Sequence, residues 1–162
     1  MIFVTVGTQL PFERLIIAID EWAARNPARD VFAQVGPCQY QPKNITYKKF
    51  ISPLEFEYYT DKCEFVVSHA GMGTIITSLS KSKPIIIVPR DAKLGEHRNQ
   101  HQFSTCDRFK NLRGCYTSED EKELTKLLDK WNLSNKQEFH KMSNNKLLSE
   151  KLFSEVFKML YF

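Results

Sequence analysis

Three segments of this sequence gather the residue types that hold anions and hydroxyl-rich ligands. The first is Gly7-Thr8-Gln9, which follows the β-branched run Ile2-Phe3-Val4-Thr5-Val6 and precedes a stretch with helical periodicity. A strand that turns through glycine into a helix leaves backbone N–H groups and the positive end of the helix dipole free for a phosphate. A tight turn also needs glycine for backbone reasons alone, so this segment by itself supports either reading. The second is Ser68-His69-Ala70-Gly71-Met72-Gly73-Thr74, directly after Phe65-Val66-Val67. Its two glycines let a ligand approach the backbone, and Thr74 adds a hydroxyl at the start of the next helix, a set suited to a diphosphate. The third runs Pro89-Arg90-Asp91-Ala92-Lys93-Leu94-Gly95-Glu96-His97-Arg98-Asn99-Gln100-His101-Gln102. Residues 96–102 are seven consecutive polar residues, rich in donors and acceptors and poor in apolar surface. That composition suits a sugar better than a flat aromatic ligand.

Two nucleotide motifs are absent. The second segment is not the G-x-G-x-x-G dinucleotide fingerprint, because residue 76 is Ile and no acidic residue follows the first strand at the required distance. It is not a P-loop either, since no lysine follows a glycine there. A nicotinamide-dependent oxidoreductase is disfavoured on the same ground. The plain alternatives are a packed loop histidine at His69 and, for residues 96–102, an exposed helix start carrying polar side chains.

Placing three such loops on one surface requires a parallel sheet, whose ligands bind beyond the carboxyl ends of the strands. The pattern predicts strands at 2–6, 30–35, 46–50, 64–68, 85–88 and 114–117, alternating with helices at 11–25, 53–60, 71–80, 97–109 and 119–131. Leu15, Ile16, Ile19 and Trp22 fall on one face of the first helix. Strand, helix and strand with short connections give right-handed crossovers. The expected architecture is a single α/β Rossmann-like parallel-sheet domain over residues 1–131, with a C-terminal helical extension over 132–162.

The 162 residues carry 23 Lys+Arg against 19 Asp+Glu, a net charge of +4, with the excess confined to residues 82–162. So weak a balance does not point to nucleic acid. No apolar run approaches the ~20 residues a membrane-spanning helix needs, and the N-terminus has no basic region, long apolar stretch or cleavage signature of a secretory leader. Cys38, Cys63, Cys106 and Cys115 show no C-x-x-C pairing and no histidine at zinc-finger spacing, so they read as reduced thiols of a cytoplasmic protein.

The strings VTVGTQLPFERLI, SHAGMGTI and KPIIIVPR…GEHRNQHQ, in this order, resemble the C-terminal, donor-binding domain of glycosyltransferase family 28 over roughly residues 1–110. They are most similar to the PssE-type subunits of bacterial exopolysaccharide and capsule glycosyltransferases, and at greater distance to MurG and the two-subunit N-acetylglucosaminyltransferase of dolichol-linked oligosaccharide synthesis. The resemblance implies the C-terminal half of a GT-B fold, with the acceptor half on a separate, membrane-associated PssD-like polypeptide. It implies transfer of a hexose from a UDP-sugar to a polyprenyl-linked acceptor, with inversion. On this resemblance, Gly7, Thr8 and Gln9 together with Ser68, His69, Gly71, Met72, Gly73 and Thr74 surround the donor phosphates. Thr77, Arg90, Glu96, His97, Asn99, His101 and Gln102 surround the sugar and ribose.

Thr77 stands where MurG and the dolichol enzyme carry an acidic residue for the ribose, so ribose recognition here uses either a weaker neutral bond or another residue. No Asp-x-Asp motif is present, and metal-independent transfer is expected, with helix N-termini and Arg90 taking the leaving-group charge. The general base is expected in the partner, so no catalytic residue is assigned in this chain. The alternative from a different class is a non-catalytic stimulatory subunit. In the tail, Leu148, Leu152, Val156 and Leu160 recur every fourth residue beside Phe153 and Phe157. This pattern fits packing on the domain's own core, docking on a partner subunit, self-association as a homodimer, or a helix lying on a membrane surface. The expected location is cytoplasmic, peripheral at the inner face of the plasma membrane through the partner.

Overall fold

The computed structural model describes residues 1–133 and residue 154. Six strands form one sheet: β1 (Ile2–Thr5), β2 (Val31–Gln34), β3 (Thr46–Lys48), β4 (Phe65–His69), β5 (Ile85–Val88) and β6 (Cys115–Thr117). Their order is β3-β2-β1-β4-β5-β6 and every pair is parallel. The helices are α1 (Glu13–Arg25), α2 (Pro53–Lys62), α3 (Met72–Ser80), α4 (His101–Phe109) and α5 (Glu121–Leu133).

The central strands are continuous apolar runs because both faces of the sheet are covered. Alternate side chains separate the two cores. Ile2, Val4, Val31, Ala33, Phe65, Val67 and Ile86 face α1 and α5, where Leu15, Ile16, Ile19, Trp22, Leu124 and Leu128 close the layer. Phe3, Phe32, Val66, Ile85 and Ile87 face α2, α3 and α4 through Phe56, Tyr59, Ile75, Leu79, Cys106 and Phe109. The Trp22 indole N–H donates to Asp129 Oδ1 at 2.8 Å, tying α1 to α5. All four cysteines are buried and unpaired, and burial pushes Cys63 up to about 11 and Cys106 and Cys115 to about 12, so they pack as small apolar groups.

The predicted elements are present with shifted ends. The third strand stops at Lys48 rather than residue 50, α1 begins at Glu13 rather than residue 11, and β4 continues through His69. The largest difference is α4, expected from residue 97 but starting at His101. Asp91 accepts from the Lys93 N–H to open a single 3-10 turn at Ala92–Leu94, and Gly95, at φ +72°, ends it in the left-handed region. Residues 96–100 then run as irregular loop. α2 starts where its sequence says: Ser52 and Glu55 form a reciprocal capping box with Pro53 in the first turn. The tail pattern from Leu148 to Leu160 lies outside the described residues. No described helix is long and apolar enough to cross a membrane.

Candidate functional site

The strand order reverses between β1 and β4, so the β1–α1 and β4–α3 loops leave the sheet in opposite directions and open a crevice at its carboxyl edge. A cleft of about 280 Å3 lies there. Residues 6–10 form one wall, His69, Gly71, Gly73 and Thr74 the floor, and Arg90, His97 and Gln102 the far side.

The floor is built by glycine and one imidazole. Gly7 has φ +76°, and a Cβ on it would come within 2.9 Å of His69 Cε1. A Cβ on Gly71 would overlap His69 Nε2. The His69 ring therefore fills the space that both glycines leave open. Gly73 differs: nothing lies within 4 Å of where its Cβ would be. Gly71 N-caps α3 without any side-chain bond, and the first turn of α3 holds no acidic residue, so its free N–H groups point toward the cleft unopposed by negative charge. Behind the first wall, a Cβ at Gly36 would reach 2.6 Å from the Gly7 carbonyl oxygen, so the turn after β2 is pressed against the turn after β1.

His69 is held well below the ordinary histidine range, at about 4. Burial is the main cause, the Arg90 charge adds to it, and the Thr5 backbone opposes it. Its Nδ1 is enclosed without a hydrogen bond of proper geometry. The ring is neutral at pH 7 and weakly basic.

Arg90 is 2% exposed. Its Nη2 donates to the carbonyls of Val6 at 2.6 Å and Leu10 at 2.7 Å, and its Nη1 to Pro11 at 2.9 Å. Burial lowers its pKa, yet a guanidinium stays protonated in any protein interior. No carboxylate forms an ion pair with it among the described residues, and none lines the cleft. The cleft thus combines a helix N-terminus, a threonine hydroxyl and a buried positive charge, a site for an anion.

Of the residues singled out in the sequence, the structure gathers Gly7, Thr8, Gln9, His69, Gly71, Gly73, Thr74, Arg90, His97 and Gln102 around this cleft. Six others do not line it. Ser68 is fully buried and donates to the His69 carbonyl. Met72 packs against the core. The Thr77 hydroxyl bonds back to the Gly73 carbonyl at 2.8 Å, one turn away. Asn99 Oδ1 accepts from the His101 N–H at 3.2 Å, and both residues are exposed at the start of α4. Glu96 turns away to Arg14, whose Nε and Nη2 reach its two oxygens at 2.9 Å each. Sequence reasoning passed over Arg14 and Gly36. No local pattern marks either one: the partner of Arg14 is 82 residues away, and Gly36 meets the Gly7 carbonyl only in the folded chain.

The fold and the cleft define a Rossmann-like domain with a cleft suited to an anion at its topological switch point. The chain belongs to the glycosyltransferase family 28 C-terminal domain family, whose sequence profile matches residues 1–157. It is 31% identical over 120 residues to the mouse UDP-N-acetylglucosamine transferase subunit ALG13, a match covering 62% of this chain and 9% of that protein. The solution structure of ALG13 overlays with a TM-score of 0.58 at 19% identity, covering 88% of this chain and 95% of that one. UDP-glucose: anthocyanidin 3-O-glucosyltransferase, solved in complex with UDP, overlays with a TM-score of 0.64 at 14% identity, covering 97% of this chain and 35% of that one. The architecture is the Rossmann-like half of the GT-B glycosyltransferases.

Proposed function

We propose that this chain is the donor-binding subunit of a two-subunit, inverting, PssE-type glycosyltransferase that transfers a hexose from a UDP-sugar to a polyprenyl-linked acceptor in exopolysaccharide or capsule synthesis. The observation that carries the reading is the cleft at the N-terminus of α3, with an open Gly73 and the buried charge of Arg90 beside it. The relatives, a UDP-N-acetylglucosamine transferase subunit and a glucosyltransferase solved in complex with UDP, support the nucleotide and the division into subunits.

In this reading the α3 N–H groups and Thr74 hold the diphosphate against residues 7–9, while His97 and Gln102 face the sugar. The acceptor oxygen bonds to the anomeric carbon, whose bond to the β-phosphate oxygen breaks with the electron pair leaving on UDP. The acceptor's proton goes to a base on the partner subunit, since the His69 ring, depressed to about 4, is a weak base. The helix end and Arg90 stabilise the departing charge without a metal ion. The partner is a membrane-associated, acceptor-binding PssD-like protein that holds this chain at the inner membrane face.

The test is calorimetric titration of the purified chain with UDP, UDP-galactose and UDP-N-acetylglucosamine. Gln102→Ala and His97→Ala should weaken the UDP-sugars by about tenfold or more while leaving UDP nearly unchanged. Equal losses for UDP and UDP-sugar would remove the sugar from this side of the cleft. A chain that binds no nucleotide yet activates a partner would instead be a stimulatory subunit.

A further inference from the structure

Two arginines far apart in sequence join the wall of the cleft formed by the β1–α1 turn to the wall formed by the loop after β5. Arg90 lies at the end of β5 but spends its guanidinium on carbonyls some 80 residues earlier, at Val6, Leu10 and Pro11, with a longer bond to Glu96 O at 3.4 Å. Arg14 does the converse from the first turn of α1. It forks onto both oxygens of Glu96 and donates to the Pro89 carbonyl at 3.0 Å. Glu96 in turn accepts the Asp91 N–H at 2.8 Å, which fixes the course of the loop. Both guanidinium carbons lie 5.2 Å from the centre of the fully buried Phe12 ring, so one aromatic wedge braces both struts.

A buried arginine without a carboxylate is costly, and an apolar side chain of similar size would fill the same volume without desolvating a charge. What the apolar replacement cannot supply is a planar fork that meets several carbonyls at once. The geometry also decides how Gln102 presents itself. The Arg90 backbone N–H can only donate, so the atom facing it at 3.0 Å is Gln102 Oε1, which leaves the amide NH2 as the group Gln102 can offer a ligand.

We propose that Arg90 and the Arg14–Glu96 pair are positioning residues that lock residues 6–11 and 89–102 into one rigid jaw, fixing the distance between the two sides of the cleft before any ligand arrives. This rests on the donor-binding reading above for its purpose, but the jaw itself is a property of the empty chain.

Hydrogen exchange on the full, ligand-free chain tests the jaw directly, and UDP titration of the same samples tests its use. Arg90→Lys keeps the charge and loses the fork. It should speed amide exchange in both segments together by about tenfold, leaving β1 and β4 protected, and weaken UDP by about tenfold. Arg14→Lys and Glu96→Gln should act on the same two segments by about threefold, with the melting temperature lowered by no more than a few degrees. They carry the test alone if Arg90→Lys fails to fold. Exchange that rises in only one segment, or in neither, overturns the proposal, as does UDP affinity within twofold of wild type in a variant whose jaw has loosened. Coupled loosening in a chain that binds no UDP even as wild type would leave the jaw standing and overturn the donor reading instead.

Discussion

The loop after β4 and the loop after β5 open on the same cleft and are built by opposite means. The first is short and shaped by backbone: Gly71, together with Gly7 of the β1–α1 turn, leaves a volume that the His69 ring fills, with no room there for another side chain. The second is long and irregular, and it is held by side chains: Asp91 and Gly95 shape its start, while Glu96, Arg14 and Arg90 anchor it to α1 and the β1–α1 turn. Backbone shape tolerates changes of charge but no change of volume. A loop anchored by charged side chains has the reverse sensitivities.

The largest effect follows from the first loop. Gly71→Ala drives a Cβ into the His69 ring and should destabilise the chain by about 3 kcal/mol. Gly73→Ala, two residues later, meets open space and lies in the first turn of α3, so it should be neutral or stabilising by up to ~1 kcal/mol. Chemical denaturation of the two variants side by side checks the contrast, and equal costs would break it.

Next comes pH. His69 is depressed to about 4 in the folded chain, so as pH falls below about 6.5 the unfolded chain takes up a proton that the folded chain refuses. Stability is therefore full above that value and declines toward pH 4, by about 2 kcal/mol after allowing for the ring's remaining solvent contact. Melting curves from pH 7 to 4 should show this decline, and His69→Gln should remove that part of it.

Smaller again is the second loop's response to charge removal. Arg14→Met should cost about 1 kcal/mol, because its pairs with Glu96 and Glu121 are only partly buried, and the loss should shrink in high salt. A salt-independent loss would mean that Arg14 acts by packing on Phe12. The smallest change is Thr77→Val, where a helical hydroxyl bonded to Gly73 O is removed. Stability should shift by less than ~0.5 kcal/mol, and UDP affinity should stay within about twofold of wild type, because Thr77 does not line the cleft.

The same contrast explains what could be read in advance. The strand Ile85–Val88 and the helix face of Leu15, Ile16, Ile19 and Trp22 were legible because burial on a regular element imposes a period. The glycines at 7, 71 and 73 were legible as close-approach positions in two loops, yet only the folded chain separates Gly73, which leaves open space, from Gly7 and Gly71, which make room for His69. Residues 96–100 have no period to read, so the polar run looked like a helix start. The role of Glu96 depended on Arg14, 82 residues away, a pairing that no local pattern encodes. Gathering the first-loop and second-loop residues at one switch point needed only the topology. Assigning Arg90 to the Val6, Leu10 and Pro11 carbonyls needed the fold itself.

On the donor-binding reading, the open volume beside Gly73, at the N-terminus of α3, receives the diphosphate of a UDP-sugar. Gly73→Val fills that volume while touching nothing else within 4 Å of its Cβ. Calorimetric titration with UDP, run beside a melting curve, should show binding by the wild-type chain and none by Gly73→Val at an unchanged melting temperature. A variant that folds normally and binds UDP as tightly as wild type would contradict the account.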